Sequence, residues 1–397
     1  MKKRVLIAGG GIAGVEAAIQ LRRAGMPVTL ISNRPSLFVY PLSIWVPTGE
    51  RTIEDVSIDL KRLAERHGFD LVIDEVAEIQ IKKKQLRLTT AGWTGYDYLI
   101  VGLGAGKRPV KGMDEHTFSI CASPDQHDRI RERLVEIIET GSGRIAVGFG
   151  GNPDDPSAVR GGPAFELMFN IDHLLRKKGV RDRFELTFFA PMPSPGARMG
   201  PDALTALGKF FKRLNIRRHF GVKITEFKEN GIAFEDGSFI ESDLIIYIPG
   251  LAGHPILKKS DIPLNKAGFV QINDYCEVMH NFDDTLDAYN VFAIGDTAAL
   301  DGPDWRAKQG HIAEAMAQAA VYNILAMERG STHRRGYFEH LNIICLMDSG
   351  NGAALVFRSD RRAFFLPLPF IGHAVKRLWG FYYRNTKLKR IPRFPGM

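Results

Sequence analysis

The apolar positions of this chain fall in short unbroken runs, separated by stretches with a helical period. Runs near 3–8, 27–32, 96–104, 144–148, 185–189, 242–250 and 290–296 carry almost no interior polar residue. Such continuity predicts strands covered on both faces, as in a parallel sheet. Between them, spacing of three and four predicts helices near 12–24, 54–67, 124–139, 163–178, 201–214 and 311–328. Alternation at Leu71–Ile73, Glu78–Ile81 and Leu86–Leu88 predicts a small antiparallel sheet, and 343–358 and 362–368 read as strands of a third, smaller unit.

The first strand runs into Gly9-x-Gly11-x-x-Gly14 and then an alanine-rich helix. Glycines at this spacing let a pyrophosphate approach the backbone at a helix N-terminus. The strand from Asn290 ends in Gly295-Asp296, where a carboxylate can accept hydrogen bonds from ribityl hydroxyls, and the strand from Tyr96 ends in a turn at Gly104. Together these segments predict an FAD site. The acid expected at the end of the second strand is replaced by Ser32 and Asn33, which weakens an NAD reading of this site and leaves Ser32 to meet the ribose.

A second unit repeats the strand–helix order, but its turn reads Gly148-Phe149-Gly150-Gly151-Asn152-Pro153-Asp154-Asp155. Pro153 stands where the third glycine belongs, and two acids follow that would repel a pyrophosphate. The expected architecture is α/β: two Rossmann-like dinucleotide-binding domains with a small C-terminal membrane-contact unit. The FAD-binding domain is expected at 1–105 and 265–335, a second domain without a working NAD fingerprint at 106–264, and a flavin-capping, basic amphipathic region at 336–397.

At 397 residues there is length for two well-packed domains. No apolar run reaches the roughly 20 residues a membrane span needs. The start, Met1-Lys2-Lys3-Arg4 before an apolar run, has the outline of a secretory signal, but the glycines fit the nucleotide turn and Glu16 interrupts the run, which predicts a cytoplasmic location. The net charge of +8 is concentrated at the end. After Asp360 there is no acid, and Arg361, Arg362, Lys376, Arg377, Arg384, Lys387, Lys389, Arg390 and Arg393 are interleaved with large aromatics. That mixture suits a peripheral contact with the inner face of a membrane; a basic helix packed on the body is the alternative, and no motif supports nucleic acid. Cys121, Cys276 and Cys345 lack CxxC or zinc-like spacing, which predicts no metal site and, in the cytoplasm, no structural disulfide. Cys276 reads as core.

The layout resembles the two-dinucleotide-domain flavoproteins, and within them the sulfide:quinone oxidoreductases and the flavoprotein subunit of flavocytochrome c sulfide dehydrogenase. Phe118–Cys121 is similar to the segment bearing that family's first cysteine, Gly162–Glu166 to the one beside its second, Ala307–Gly310 to the lysine turn at the flavin pyrimidine end, and Ile344–Gly350 to the segment of its third cysteine. The resemblance implies that Cys345 meets a reduced sulfur species beside the flavin, and that Lys308 stabilises charge on the reduced ring; a surface lysine is the plain alternative. One position departs. Where the family has its second cysteine this chain has Arg160, leaving Cys345 alone with the more peripheral Cys121. Arg160 then either holds a sulfur anion or pairs with Asp154 or Asp155.

The expected function is therefore an FAD-dependent oxidoreductase that oxidises sulfide or a related small sulfur anion and reduces a membrane quinone. A type II NADH:quinone oxidoreductase and a redox-silent FAD-binding sensor or partner subunit are the alternatives, and a homo-oligomer is compatible with the sequence.

Overall fold

The computed structural model describes residues 3–279 and 290–393; Met1 and Lys2 of the signal-like start lie outside them. A parallel sheet of five strands has the spatial order Val291–Ala293, Tyr98–Val101, Val5–Ala8, Val28–Ser32, Asp70–Ile73. Its central strands are buried throughout, as their unbroken apolar runs require. The helices Ile12–Arg23 and Gly310–Glu328 pack together on it. Both are rich in alanine at the contact, including Ala13, Ala17, Ala313 and Ala317, so their backbones approach closely.

A second parallel sheet, ordered Ile216–Phe220, Phe184–Ala190, Gly143–Phe149, Leu244–Ile248, carries the helix Gly162–Lys177. Phe165 on that helix stacks on Phe188 of the sheet, with ring centroids 4.6 Å apart, and Phe149 meets both edge-on. This aromatic cluster fixes the helix, and with it Glu166.

An antiparallel sheet of Ile343–Asp348, Gly352–Arg358 and Ala363–Pro369 follows, and the C-terminal helix Gly372–Lys387 packs on it.

Three expected elements differ. Asp70–Ile73 joins the parallel sheet beside Val28–Ser32; the small antiparallel sheet is Val76–Gln80, Gln85–Leu88 and Gly92–Gly95. The helix expected from 54 begins at Leu60, because Ser57–Asp59 pairs with Ser36–Phe38 and Asp59 then caps the helix by accepting the Arg62 N–H at 2.8 Å. The stretch 343–358 is two strands, turned at Gly350, whose φ of 86° suits glycine.

Candidate functional site: a cofactor cavity closed by the C-terminal unit

One large cavity, about 1610 Å³, lies between the two parallel sheets and the C-terminal unit. Gly9, Gly11, Ser32, Gly104, Cys121, Arg160, Glu166, Gly295, Asp296, Lys308 and Cys345 all line it. Gly14 does not line it. A side chain at Gly14 would run into the Gly9 carbonyl, and one at Gly9 into Gly102, so these two glycines serve close packing. A side chain at Gly11 would meet nothing within 4 Å and would point into open space, as would one at Gly104.

The cavity fits FAD. Gly11 starts the helix Ile12–Arg23 without a side-chain cap, so the first N–H groups are free to meet a pyrophosphate. Gln309 starts the helix Gly310–Glu328, lines the cavity, and keeps a buried Oε1 without a hydrogen-bond partner. That unsatisfied atom suits a ligand donor. Ser32 is buried and donates to the Arg34 carbonyl at 2.7 Å, so its hydroxyl is already engaged.

Arg160 pairs with Asp296, across the cavity from its own glycine turn. The sequence left open a bound sulfur anion or a pair with Asp154 or Asp155. Asp155 is buried and accepts instead from the Ser157 N–H at 2.8 Å, the Ser157 hydroxyl at 2.7 Å and Asn265 at 3.2 Å. The carboxylate expected to await ribityl hydroxyls thus carries a guanidinium. Arg160 also opposes the effect of burial, which pushes the Cys121 thiol above its usual range.

Lys308 is buried and not a surface lysine. Its ammonium donates to the Ala298 carbonyl and sits 4.0 Å from the Phe269 ring centroid. Burial lowers its pKa to about 7; Asp155 opposes this, and Arg160 and Arg306 add to it.

Cys345 lines the cavity from its strand, as do its neighbours Leu346 and the half-exposed Ile344. Its thiol donates to Glu166 Oε1 at 3.7 Å. Glu166 Oε2 is paired with Lys376 of the C-terminal helix, both nearly inaccessible. Burial raises Glu166 to about 6; Lys376 pulls it down and Asp348 adds to the rise. Burial, then the Glu166 charge, push the Cys345 thiol up to about 12. The resting group is a neutral thiol beside a base. Glu166 was visible in the sequence only as part of a matched segment, and Lys376 only as one of nine tail charges. The signal for Glu166 was a lone acid one turn into a helix whose following residues are Leu-Met-Phe.

The tail is correspondingly less basic at its surface than its composition. Lys376 and Lys387 are buried in ion pairs, Lys387 with both Glu16 and Glu314, and Arg393 pairs with Glu16. Arg384 donates to the Glu54 and Asp55 carbonyls. Arg361, Arg362, Arg377, Lys389 and Arg390 stay exposed. Cys276 is fully buried, and among the described residues no cluster of acids, histidines and cysteines has metal-site form and no helix is long and apolar enough to cross a membrane.

At the second glycine turn, a side chain on Gly150 would meet the Tyr247 hydroxyl. Gly150, like Gly9 and Gly14, therefore serves close packing.

A family model described as pyridine nucleotide-disulphide oxidoreductase matches residues 3–319. The sulfide-quinone reductase of Aquifex aeolicus is 24% identical over 375 residues, covering 90% of this chain and 84% of that protein. The type II NADH:quinone oxidoreductase Ndh of Mycobacterium tuberculosis is 26% identical over 336 residues, covering 76% and 68%. Among solved structures, the Aquifex aeolicus sulfide:quinone oxidoreductase superposes with a TM-score of 0.85 at 21% identity, over 98% of this chain and 92% of that one. The Plasmodium falciparum NDH2 in complex with NADH gives 0.72 at 12% identity, over 99% of each. With its uncapped glycine turn, its open Gly11 and a match over four-fifths of its length, the chain belongs to the pyridine nucleotide-disulphide oxidoreductase family and is an FAD-dependent oxidoreductase.

Proposed function

We propose that this enzyme oxidises sulfide or a related small sulfur anion at Cys345 and reduces a membrane quinone. The observation that carries the reading is the Cys345–Glu166–Lys376 cluster at the cavity wall. A thiol held neutral by burial needs a base to become a nucleophile. Glu166 is the acceptor already in contact, and the Lys376 ammonium steadies whichever of the two carries negative charge. FAD, when bound, accepts two electrons from a donor and hands them to an acceptor. Gly11, Gly104, Gln309 and the two helix N-termini would hold it, with Lys308 at its pyrimidine end.

Beside the cluster, Ile344, Leu346, Leu355, Val375, Trp379 and Tyr382 give the cavity an apolar wall suited to a quinone ring and its tail. On the outer side of the same unit Phe370 is 85% exposed, Leu378 66% and Phe381 61%, with Phe364, Leu366 and Ile371 also exposed. Exposed apolar residues interleaved in sequence with the exposed Arg361, Arg362 and Arg377 suit a membrane surface. Such a contact would put the quinone wall next to the lipid. The relatives named for sulfide and quinone support the same assignment.

NADH as electron donor is the second reading, favoured by the likeness to NADH:quinone oxidoreductases. Pro153, where the third glycine belongs, and the acids Asp154 and Asp155 after it count against it. The test is steady-state turnover with sulfide and a short-chain quinone. The wild type is expected to turn over, and Cys345→Ala to lose at least about 100-fold, the scale of losing an activated nucleophile. Undiminished turnover in Cys345→Ala overturns the sulfur assignment.

A further inference from the structure

Oxidising hydrosulfide to the level of elemental sulfur releases two electrons and one proton, whereas reducing a quinone to a quinol takes two electrons and two protons. Each turnover therefore imports one proton from solution. The groups nearest the quinone wall, Glu166 and Lys376, are about 95% inaccessible and lose access through the cavity when it fills. They need another route to solvent.

The C-terminal unit contains one. His373 lies one helical turn before Lys376. Its Nδ1 meets Asp348 Oδ2 at 2.9 Å and its Nε2 meets Glu50 Oε2 at 3.3 Å. Glu50 has 33% of its side chain exposed; Asp348 has none. The chain carboxylate–imidazole–carboxylate thus runs from solvent to the interior through one ion-pair contact and one hydrogen bond. At its inner end Asp348 accepts the Trp45 indole N–H at 3.2 Å and the Gly350 N–H at 2.9 Å. The Trp45 ring lies 5.1 Å from the His373 ring and 5.8 Å from the Lys376 ammonium, so one indole separates Asp348 from the buried pair. Asp348 is close enough to Glu166 to raise its proton affinity, and Lys376 helps hold Asp348 ionised.

We propose that Glu50, His373 and Asp348 conduct protons between bulk solvent and the buried Lys376–Glu166 pair, with the last hop made through water beside Trp45. A proton taken up at Nε2 through Glu50 displaces the Nδ1 proton through Asp348, whose carboxylate carries it only in passage to the buried pair, so one proton enters at the surface for each delivered inside. Asp348 and Glu50 are the charges that face the ring, and they raise its pKa to about 9, so the donor form persists through the neutral range.

The proposal rests on the quinone reading above. Its test uses the FAD-loaded enzyme with sulfide as donor and, in parallel, a short-chain quinone and ferricyanide, which accepts electrons without protons. In His373→Gln, quinone turnover is expected to fall about tenfold, with an increased solvent deuterium isotope effect, while ferricyanide turnover stays within about twofold. Added imidazole should restore the quinone rate of His373→Ala. Nitrogen-15 histidine spectra should show a doubly protonated His373 up to about pH 9, lowered in Asp348→Asn. Equal loss with both acceptors, or no rescue by imidazole, marks a structural role and overturns the relay. A wild type that reduces ferricyanide but not quinone overturns the quinone reading and the relay together, whereas a wild type active on quinone with an unimpaired His373→Gln overturns the relay alone.

Discussion

Cys345, Glu166 and Lys376 make opposite predictions for reactivity and turnover. Replacing Glu166 by Gln removes the negative charge that suppresses the Cys345 thiolate and leaves Lys376 to favour it. Labelling of Cys345 by iodoacetamide at pH 8, followed by peptide mass spectrometry, should accelerate by about tenfold for each unit the thiol falls, while turnover drops because the base is gone. Labelling slowed or unchanged would mean that Glu166 does not control the thiol. His373 offers a stability test. Its folded pKa, about 9, lies above the unfolded value, so its contribution is complete below roughly pH 6.5 and is lost as pH rises through 9. The difference in melting temperature between wild type and His373→Gln should therefore be largest near pH 6 and vanish above pH 9.5. At this scale the sequence carried the polar residues but not their partners. Arg160 was legible as a departure, yet its pairing with Asp296 follows from a fold that brings residues 136 positions apart into one cavity. Lysines in a basic tail look alike in sequence; which of them turn inward depends on buried acids on distant helices.

The C-terminal helix packs on the body through Trp379, Gly380 and Tyr383, and its last turn is also held by buried charges. Lys387 is buried between Glu16 and Glu314, and burial alone would discharge it; the two carboxylates and the Tyr383 ring keep it protonated. Burial likewise opposes ionisation of Glu16, but Lys387 and Arg393 hold its pKa down to about 2. Lys387→Met leaves the buried Glu16 and the partly buried Glu314 without their central cation and should cost about 3–5 kcal/mol, with the tail becoming an early site of proteolysis. Adding Glu16→Gln should recover part of the loss in chemical denaturation. Full stability in Lys387→Met would contradict the clamp. The strands and the main helices were legible because continuous apolar runs and helical spacing are local signals. The misread elements, at 57–59 and 70–73, were decided by which distant strand each one pairs with.

Across the whole molecule, the C-terminal unit has two faces with different tasks. Its inner face closes the cavity with Cys345, Lys376 and Trp379, and its outer face exposes Phe370, Leu378 and Phe381. If that outer face meets lipid, the enzyme should co-sediment with anionic vesicles, and Phe370→Asp/Leu378→Asp/Phe381→Asp should abolish binding while leaving soluble sulfide-to-ferricyanide activity in place. Arg361, Arg362 and Arg377 predict that binding also weakens with salt, though less than a tail with nine free charges would. The glycine turns, the Gly295-Asp296 strand end and the basic, aromatic tail were all readable as pattern; the single cavity that joins them is a property of the assembled sheets. The central claim is that electrons enter from sulfur at Cys345 and not from a nicotinamide. An anaerobic titration of the flavin absorbance, with sulfide and separately with NADH, tests it most directly. Bleaching by about one equivalent of sulfide, absent in Cys345→Ala, with no rapid bleaching by NADH, is the result this account predicts. Prompt bleaching by NADH with a flavin left oxidised by sulfide would contradict it.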